Sequence, residues 1–385
     1  MFTRSLQLPN HTFFVFGPRG TGKTTWLKNV LPDALWFDLL RTQTYLALAR
    51  RPESFRQEIE ARPCGTWVVV DEVQRLPHLL NEIQALITEH GHAYRFALSG
   101  SSARKLKRTD ANLLAGRAIN RQFYPLTAAE LGRDFDPDLI LRFGLLPQIQ
   151  SEPAFAVDIL DAYVLNYVRE EIQQEALVRN LESFARFLEV AAVMNGQVAN
   201  VAGLARDCAV ARPTVQGYFA TLIDTLIGFW LPAWRKRIKV KEVASPKFYL
   251  FDPGVARALA GRSREPLESA ERGFLLETWI LHELRAAISL HDTGGQLSYW
   301  RTPSGAEVDF IWARGAHAIG VEVKASAIWR RDYSAPLISL IDAGALRTGY
   351  GVYTGMTELK DGPVRVLPLR RFLAELSSGE VLGKE

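Results

Sequence analysis

The sequence predicts a multidomain α/β protein, and three features predict it. Short apolar runs alternate with amphipathic stretches in the first third, a glycine-rich loop follows the first of those runs, and two alternating strands carrying acids and a lysine lie near the C-terminus. Strand–helix alternation implies a parallel sheet covered by helices on both faces. The strand candidates are Thr12–Phe16, Leu35–Leu39, Trp67–Asp71 and Tyr94–Ser99, with a helix starting at about Thr24. From Thr127 to about Asn180 the pattern is helical, for example over Ala156–Glu171, and is expected to form a helical lid. Leu181–Gly261 reads as a helix cluster ending in a hairpin, and a long helix over Glu271–Leu290 then leads into strands. With Gly261–Pro266 as a linker, the expected domains are 1–126, 127–180, 181–262 and 263–385.

A chain of 385 residues exceeds one ordinary core, so two or three domains are the starting expectation. A content of 48% hydrophobic and 23% charged residues is that of a soluble globular protein. Cys64 and Cys208 cannot build a disulfide framework, which fits a reducing cytoplasm. Met1–Pro9 lacks the apolar run of a signal peptide, and no apolar stretch is long enough to cross a bilayer, so no membrane partner is expected. A net charge of +4 says little by itself about a polyanionic partner; the clustering of the charge says more.

Gly17, Pro18, Arg19, Gly20, Thr21, Gly22, Lys23 and Thr24 match the phosphate-loop pattern G-x-x-x-x-G-K-[ST], and Thr25 continues it into the helix. Glycines let backbone N–H groups turn inward around phosphates where a Cβ would clash. The following helix points its positive end at the anion. Lys23 is then expected to reach the β- and γ-phosphates of ATP, and the Thr24 hydroxyl to bind Mg²⁺. Asp71, at the end of Val68-Val-Val-Asp71-Glu72, would hold Mg²⁺ through water, and Glu72 would polarise the attacking water. Ser99, ending the next strand, is placed to orient that water or sense the γ-phosphate, and Arg117 to act as a finger on a neighbouring subunit.

These stretches (Gly17–Thr24, Val68–Glu72, Leu98–Ser102 and Leu114–Arg117) resemble the AAA-type ATPases of bacteria and archaea, in particular the branch whose C-terminal half is a domain of unknown function. The resemblance implies a sheet with the P-loop strand central, a helical lid, and ATP hydrolysis at subunit interfaces of a hexamer-like ring.

Val201–Asp207 and Pro213–Leu222, separated by a turn, have helix-turn-helix spacing, with Leu204, Ala205, Val210, Val215 and Phe219 as the glue. In Trp234–Lys241, Arg235, Arg237, Lys239 and Lys241 alternate onto one strand face before the chain returns through Pro246 into Lys247–Phe251. The combination reads as a winged helix with a basic wing, suited to a DNA backbone. Arg104 and Lys105, in a second basic run, are expected as further DNA contacts.

Glu307–Trp312 and Ile319–Lys324 are two alternating strands; a hairpin symmetric about Gly315-Ala316 puts Asp309 opposite Glu322 and Glu307 opposite Lys324. Opposed carboxylates repel unless a cation offsets them, so Asp309 and Glu322 are expected to ligate Mg²⁺, with Glu277 upstream as a further ligand. Lys324 would position the water that attacks a phosphodiester. Asp309, Glu322-Val323-Lys324 and Glu277 resemble the PD-(D/E)xK nuclease core, with Val308 where that family has proline. The whole is then a P-loop AAA-type parallel sheet with a helical lid, followed by a winged helix and an α/β PD-(D/E)xK nuclease-like domain. The expected activity is ATP-driven remodelling or branch migration of duplex or branched DNA by a homo-oligomer. The alternatives are an ATP-controlled switch whose C-terminal half is an interaction module, and an ATP-gated, Mg²⁺-dependent nuclease.

Overall fold

The computed structural model describes residues 2–102, 114, 116–168, 181–235 and 245–383. The chain divides into two compact units: Thr3–Pro125 with Asp224–Leu226, and chiefly Leu126–Ile223 with Ile227–Glu385.

The first unit is built on a five-stranded sheet of β1 (Phe13–Phe16), β2 (Leu35–Asp38), β3 (Trp67–Asp71), β4 (Arg95–Gly100) and β5 (Ile119–Gln122), in the order β2-β3-β4-β1-β5. Every neighbouring pair is parallel. β1 is buried at all four positions and β3 at four of five, which is why both read as continuous apolar runs. β5 escaped the sequence reading because it is an edge strand: Ile-Asn-Arg-Gln alternates between half-buried and exposed and carries one apolar residue. The helices Lys23–Val30, Thr42–Arg50, Glu53–Glu60 and Leu79–His90 connect the strands. Because the strands are parallel, the loop after Phe16, Asp71 at the end of β3, and Ser99 near the end of β4 gather at one edge of the sheet. That edge, outside the carboxyl ends of the strands, is where open α/β sheets bind ligands.

In the second unit, the helices Val201–Asp207 and Arg212–Asp224 bury Leu204, Ala205, Val215 and Phe219 in one cluster, with Val210 at its margin. Phe248 and Leu250 of β7 (Lys247–Leu250) complete it. The strand paired with β7 is β6 (Gly228–Leu231), antiparallel, with Gly228 opposite Leu250. All four residues of β7 are buried, and its antiparallel partner is the apolar Gly-Phe-Trp-Leu of β6. Arg235 is exposed and outside any strand, whereas Arg237, Lys239, Lys241, Arg104 and Lys105 lie outside the described residues.

A six-stranded mixed sheet follows, made of β8 (Gln296–Arg301), β9 (Glu307–Arg314), β10 (His317–Lys324), β11 (Thr348–Tyr353), β12 (Leu359–Asp361) and β13 (Val364–Pro368), in the order β12-β13-β11-β10-β9-β8. The helix Ser269–Leu290 starts with a capping box between Glu268 and Glu271. Its Leu276, Trp279 and Ile280 pack with Phe310, Trp312, Val321, Val323 and Val352 of the sheet.

Two buried carboxyls tie this unit together. Asp252 accepts the backbone N–H of Leu145 at 2.7 Å and of Val255 at 3.0 Å, capping the helix Pro253–Leu259. Burial pushes it up to about 6 against those hydrogen bonds. Glu283 accepts from the Trp279 indole at 2.9 Å and from the Ala128 backbone at 2.8 Å, and burial pushes it up to about 7. A carboxyl whose folded pKa is raised contributes stability at low pH and loses it as pH rises through the folded value. Resistance to urea is therefore expected to fall between pH 4.5 and about 7, by on the order of 3 kcal/mol from Glu283. Glu283→Gln, whose amide oxygen can accept both bonds, should flatten that fall in urea titrations at pH 5 and pH 7.5.

Candidate functional site

The phosphate loop is held open by its glycines and closed by its neighbours. A Cβ on Gly17 would sit 2.0 Å from the Phe123 carbonyl, and Gly22 has φ of 92°, so both positions need glycine. Gly22 immediately precedes the helix Lys23–Val30, whose first turn has no side-chain cap. The N-terminal N–H groups of that helix are at the loop, and such a terminus is the anion-binding end of a helix. The Thr21 hydroxyl donates to the Pro18 carbonyl at 2.8 Å, and Arg4 donates to the Thr21 carbonyl at 2.7 Å while stacking on Phe123. Lys23 is buried with its ammonium inside the loop, donating to the carbonyls of Gly17 at 2.7 Å and Pro18 at 3.0 Å.

Thr24 and Asp71, expected to share Mg²⁺, are in direct contact: the Thr24 hydroxyl donates to Asp71 Oδ2 at 2.7 Å. The Ser99 hydroxyl donates to Asp71 Oδ1 and accepts the Glu72 N–H at 3.1 Å. Burial raises Asp71 above the usual carboxylate range, opposed by these two hydroxyls. A hydroxyl and a carboxylate at the mouth of a phosphate loop are hard oxygen donors that fit Mg²⁺. Glu72 adopts a left-handed backbone conformation, φ 61°, rare for a side chain of that size. The turn aims its carboxylate at Gln74 and Ser101, both of which donate to Oε2, Ser101 at 3.1 Å. Gln74 and Ser101 also bond each other at 3.0 Å. Sequence reasoning gave no role to Gln74, Arg4 or Ser101, the last lying within Leu98–Ser102; only folding brings them to Glu72 or the loop.

Arg117 stands elsewhere. It lies two residues before β5, and Ile119 is level with Phe13, the first residue of β1, while the phosphate loop follows the last. Arg117 thus sits at the opposite edge of the sheet from its own loop.

The second unit holds a cleft of about 700 Å³ whose lining includes Glu277, Glu307, Asp309, Glu322, Lys324 and Lys247. The β9–β10 ladder keeps the predicted symmetry, His317 opposite Arg314 through Val321 opposite Phe310, and stops one step short of Asp309 and Glu322. There Asp309 turns its carboxylate to accept the Val323 N–H at 2.8 Å. Lys324 lies 2.5 Å from Glu322 Oε1 and 3.9 Å from Asp309 Oδ2, so an ammonium bridges the two acids. Glu307 does not meet Lys324 as the extended register predicted; it pairs with Lys247, and with Arg301 at 3.4 Å. Glu277 accepts the Tyr249 hydroxyl at 3.0 Å and lies 3.8 Å from Lys247.

Burial, then repulsion from Asp309, pushes Glu277 up to about 8 and Glu322 well above its usual range. Lys324 and Lys247 are raised because the surrounding carboxylates outweigh the burial that would lower them. The donor set is chemically suited to a hard divalent cation, and Glu322 Oε2 is buried without a partner. The three acids are nevertheless spread apart. Among the described residues only Glu60, Glu89 and His90, an exposed group, bring three such donor atoms within 4.8 Å of one another. Lys247 was legible in the sequence only as a charge heading the apolar run Phe248–Phe251.

Among the described residues, no helix is long and apolar enough to cross a membrane. Residues 138–266 and 272–372 match two family models, each described as a domain of unknown function (DUF8612 and DUF4143). Uncharacterized proteins of Mycobacterium bovis (Mb2031c) and Mycobacterium tuberculosis (Rv2008c) are each 28% identical over 260 residues, 67% of this chain. The chain spans 58% of the length of these relatives. Among solved structures, a single-substitution variant of Thermotoga maritima RuvB is similar at 15% identity and a TM-score of 0.34, over 58% of this chain and 82% of that one. Cdc6p from Pyrobaculum aerophilum is similar at 12% identity and a TM-score of 0.26, over 67% and 88%. Residues 9–132 match the family model of an AAA domain, the same stretch that carries the phosphate loop, the Thr24–Asp71–Ser99 contacts and the five-stranded parallel sheet. The first unit of the chain has the fold of an AAA-type P-loop domain.

Proposed function

We propose that this protein couples ATP hydrolysis to the handling of duplex or branched DNA, with the C-terminal cleft as a nuclease-like site for the phosphodiester backbone. The observation that carries the first half is the chain of contacts Thr24–Asp71–Ser99–Glu72 beside the phosphate loop. Mg²⁺, when bound with ATP, supplies charge neutralisation at the β- and γ-phosphates. Thr24 and Asp71 are the residues to hold it, and the loop N–H groups with Lys23 bind the phosphates. Ser99 fixes the Asp71 carboxylate and the Glu72 backbone together, so the base and the metal-binding acid keep one spacing. Glu72 takes the proton of the attacking water once its carboxylate leaves Gln74 and Ser101. Arg117 reaches the γ-phosphate of a neighbouring subunit in a homo-oligomeric ring.

The second half is supported by acids and a lysine in PD-(D/E)xK order around a cleft, and by helices with helix-turn-helix spacing just before it. Metal-dependent cleavage is favoured over binding alone by one detail, the buried and partnerless Glu322 Oε2 beside Lys324. The test is ATP turnover with and without forked or four-way DNA at increasing salt. DNA is expected to raise the rate, with binding falling steeply as salt rises. Turnover indifferent to every DNA form would sink this reading in favour of a nucleotide-controlled switch.

A further inference from the structure

Lys247 heads β7, yet its side chain is only 5% exposed and its ammonium enters the carboxylate cleft of the 272–372 domain. Lysines normally keep their charge in water, and a buried ammonium persists only where anions surround it. Here the anions are Glu307, which it contacts directly, and Glu277, whose Oε2 is 3.8 Å away. The Tyr299 ring, 5.2 Å from the ammonium, covers a further side, and the Tyr249 hydroxyl donates to the same Glu277 oxygen at 3.0 Å.

We propose that Lys247 is a tethered cation of this cleft, seated between Glu277 and Glu307, which competes with a divalent cation for Glu277. The inference rests on reading Glu277, Asp309 and Glu322 as a cation-binding set. A hard divalent ion must approach a carboxylate oxygen to about 2.0–2.6 Å. On Glu277 it would meet an ammonium already drawn to that oxygen, with little water between the two charges to screen them. Glu307 supplies the alternative seat: when Lys247 settles wholly on Glu307, Glu277 is released to the metal. Lys247, a residue of the preceding segment, 138–266, thereby offsets part of the negative charge of the cleft without metal and sets its metal affinity.

The experiment uses the full chain without nucleotide and Mn²⁺ as the probe, with free Mn²⁺ read by electron paramagnetic resonance. Lys247→Met should tighten the Asp309-dependent Mn²⁺ binding by roughly tenfold or more, because one opposing charge is gone. Lys247→Arg, which keeps the charge, should stay near wild type. Glu307→Gln should act in the opposite direction and weaken binding, since it leaves Lys247 only Glu277 to pair with. This variant also decides the matter if Lys247→Met fails to fold by circular dichroism. Equal Asp309-dependent affinity in wild type, Lys247→Met and Glu307→Gln would overturn the role of Lys247 and leave the metal site standing. If Asp309→Ala changes Mn²⁺ binding in none of these backgrounds, the metal site falls and the competition with it.

Discussion

Lys23→Ala should abolish ATP binding, whereas Glu72→Gln should bind ATP normally and hydrolyse it roughly 10²–10⁴-fold more slowly. The two residues act at different stages. Lys23 supplies a cation inside the loop, where its ammonium holds the carbonyls of Gly17 and Pro18 and is expected to exchange them for phosphate oxygens. The Glu72 carboxylate is bound by Gln74 and Ser101, so neutralising it removes a proton acceptor without deleting a side chain of the cradle. Arg117→Ala should also bind ATP and turn over slowly, by about 10³-fold or more if it acts as a finger. Mixing it with Lys23→Ala subunits should restore turnover where an intact Arg117 meets an intact loop. Calorimetry for binding and phosphate release for turnover separate these outcomes; hydrolysis at the wild-type rate by Glu72→Gln would remove it as the base.

The second large effect is expected in the cleft. Asp309→Ala and Lys324→Ala should each lower Mg²⁺-dependent cleavage of DNA below detection while leaving ATP turnover unchanged. The physical reason is the shared geometry. Lys324 neutralises Glu322 and Asp309 together, and Asp309 also holds the Val323 backbone, so losing either member leaves buried carboxylate or N–H groups without their partner. A fold control is therefore part of the measurement: Asp309→Asn can still accept the Val323 N–H and should abolish cleavage with little loss of stability. Wild-type protein that cuts no single-stranded, duplex or branched DNA with Mg²⁺ or Mn²⁺ would end the cleavage reading.

How much of this was legible beforehand follows from how local each signal is. The phosphate loop, the run Val68–Glu72 and Ser99 depend on residues close together in the chain, on strands whose burial on both faces makes them conspicuous. The hairpin symmetry about Gly315-Ala316 was local too, and the ladder keeps it as far as Phe310 and Val321. β5 was not legible, because an edge strand needs no apolar run to be paired. Residues 236–244, which carry most of the basic run, lie outside the described residues; what folding adds nearby is the apolar run Gly228–Leu231 as partner of the buried strand Lys247–Leu250.

By itself the sequence determined that a phosphate cradle and its acidic partners exist, since glycine placement, a following helix and a strand-terminal Asp-Glu are covalently adjacent facts. Only the tertiary structure decided which charges neutralise one another. Gln74 and Ser101 meet at Glu72, and Lys247 reaches Glu277 and Glu307 across 30 and 60 residues of chain. A buried charge takes whichever counter-charge the packed core leaves within reach, and no spacing along the chain specifies which one that will be.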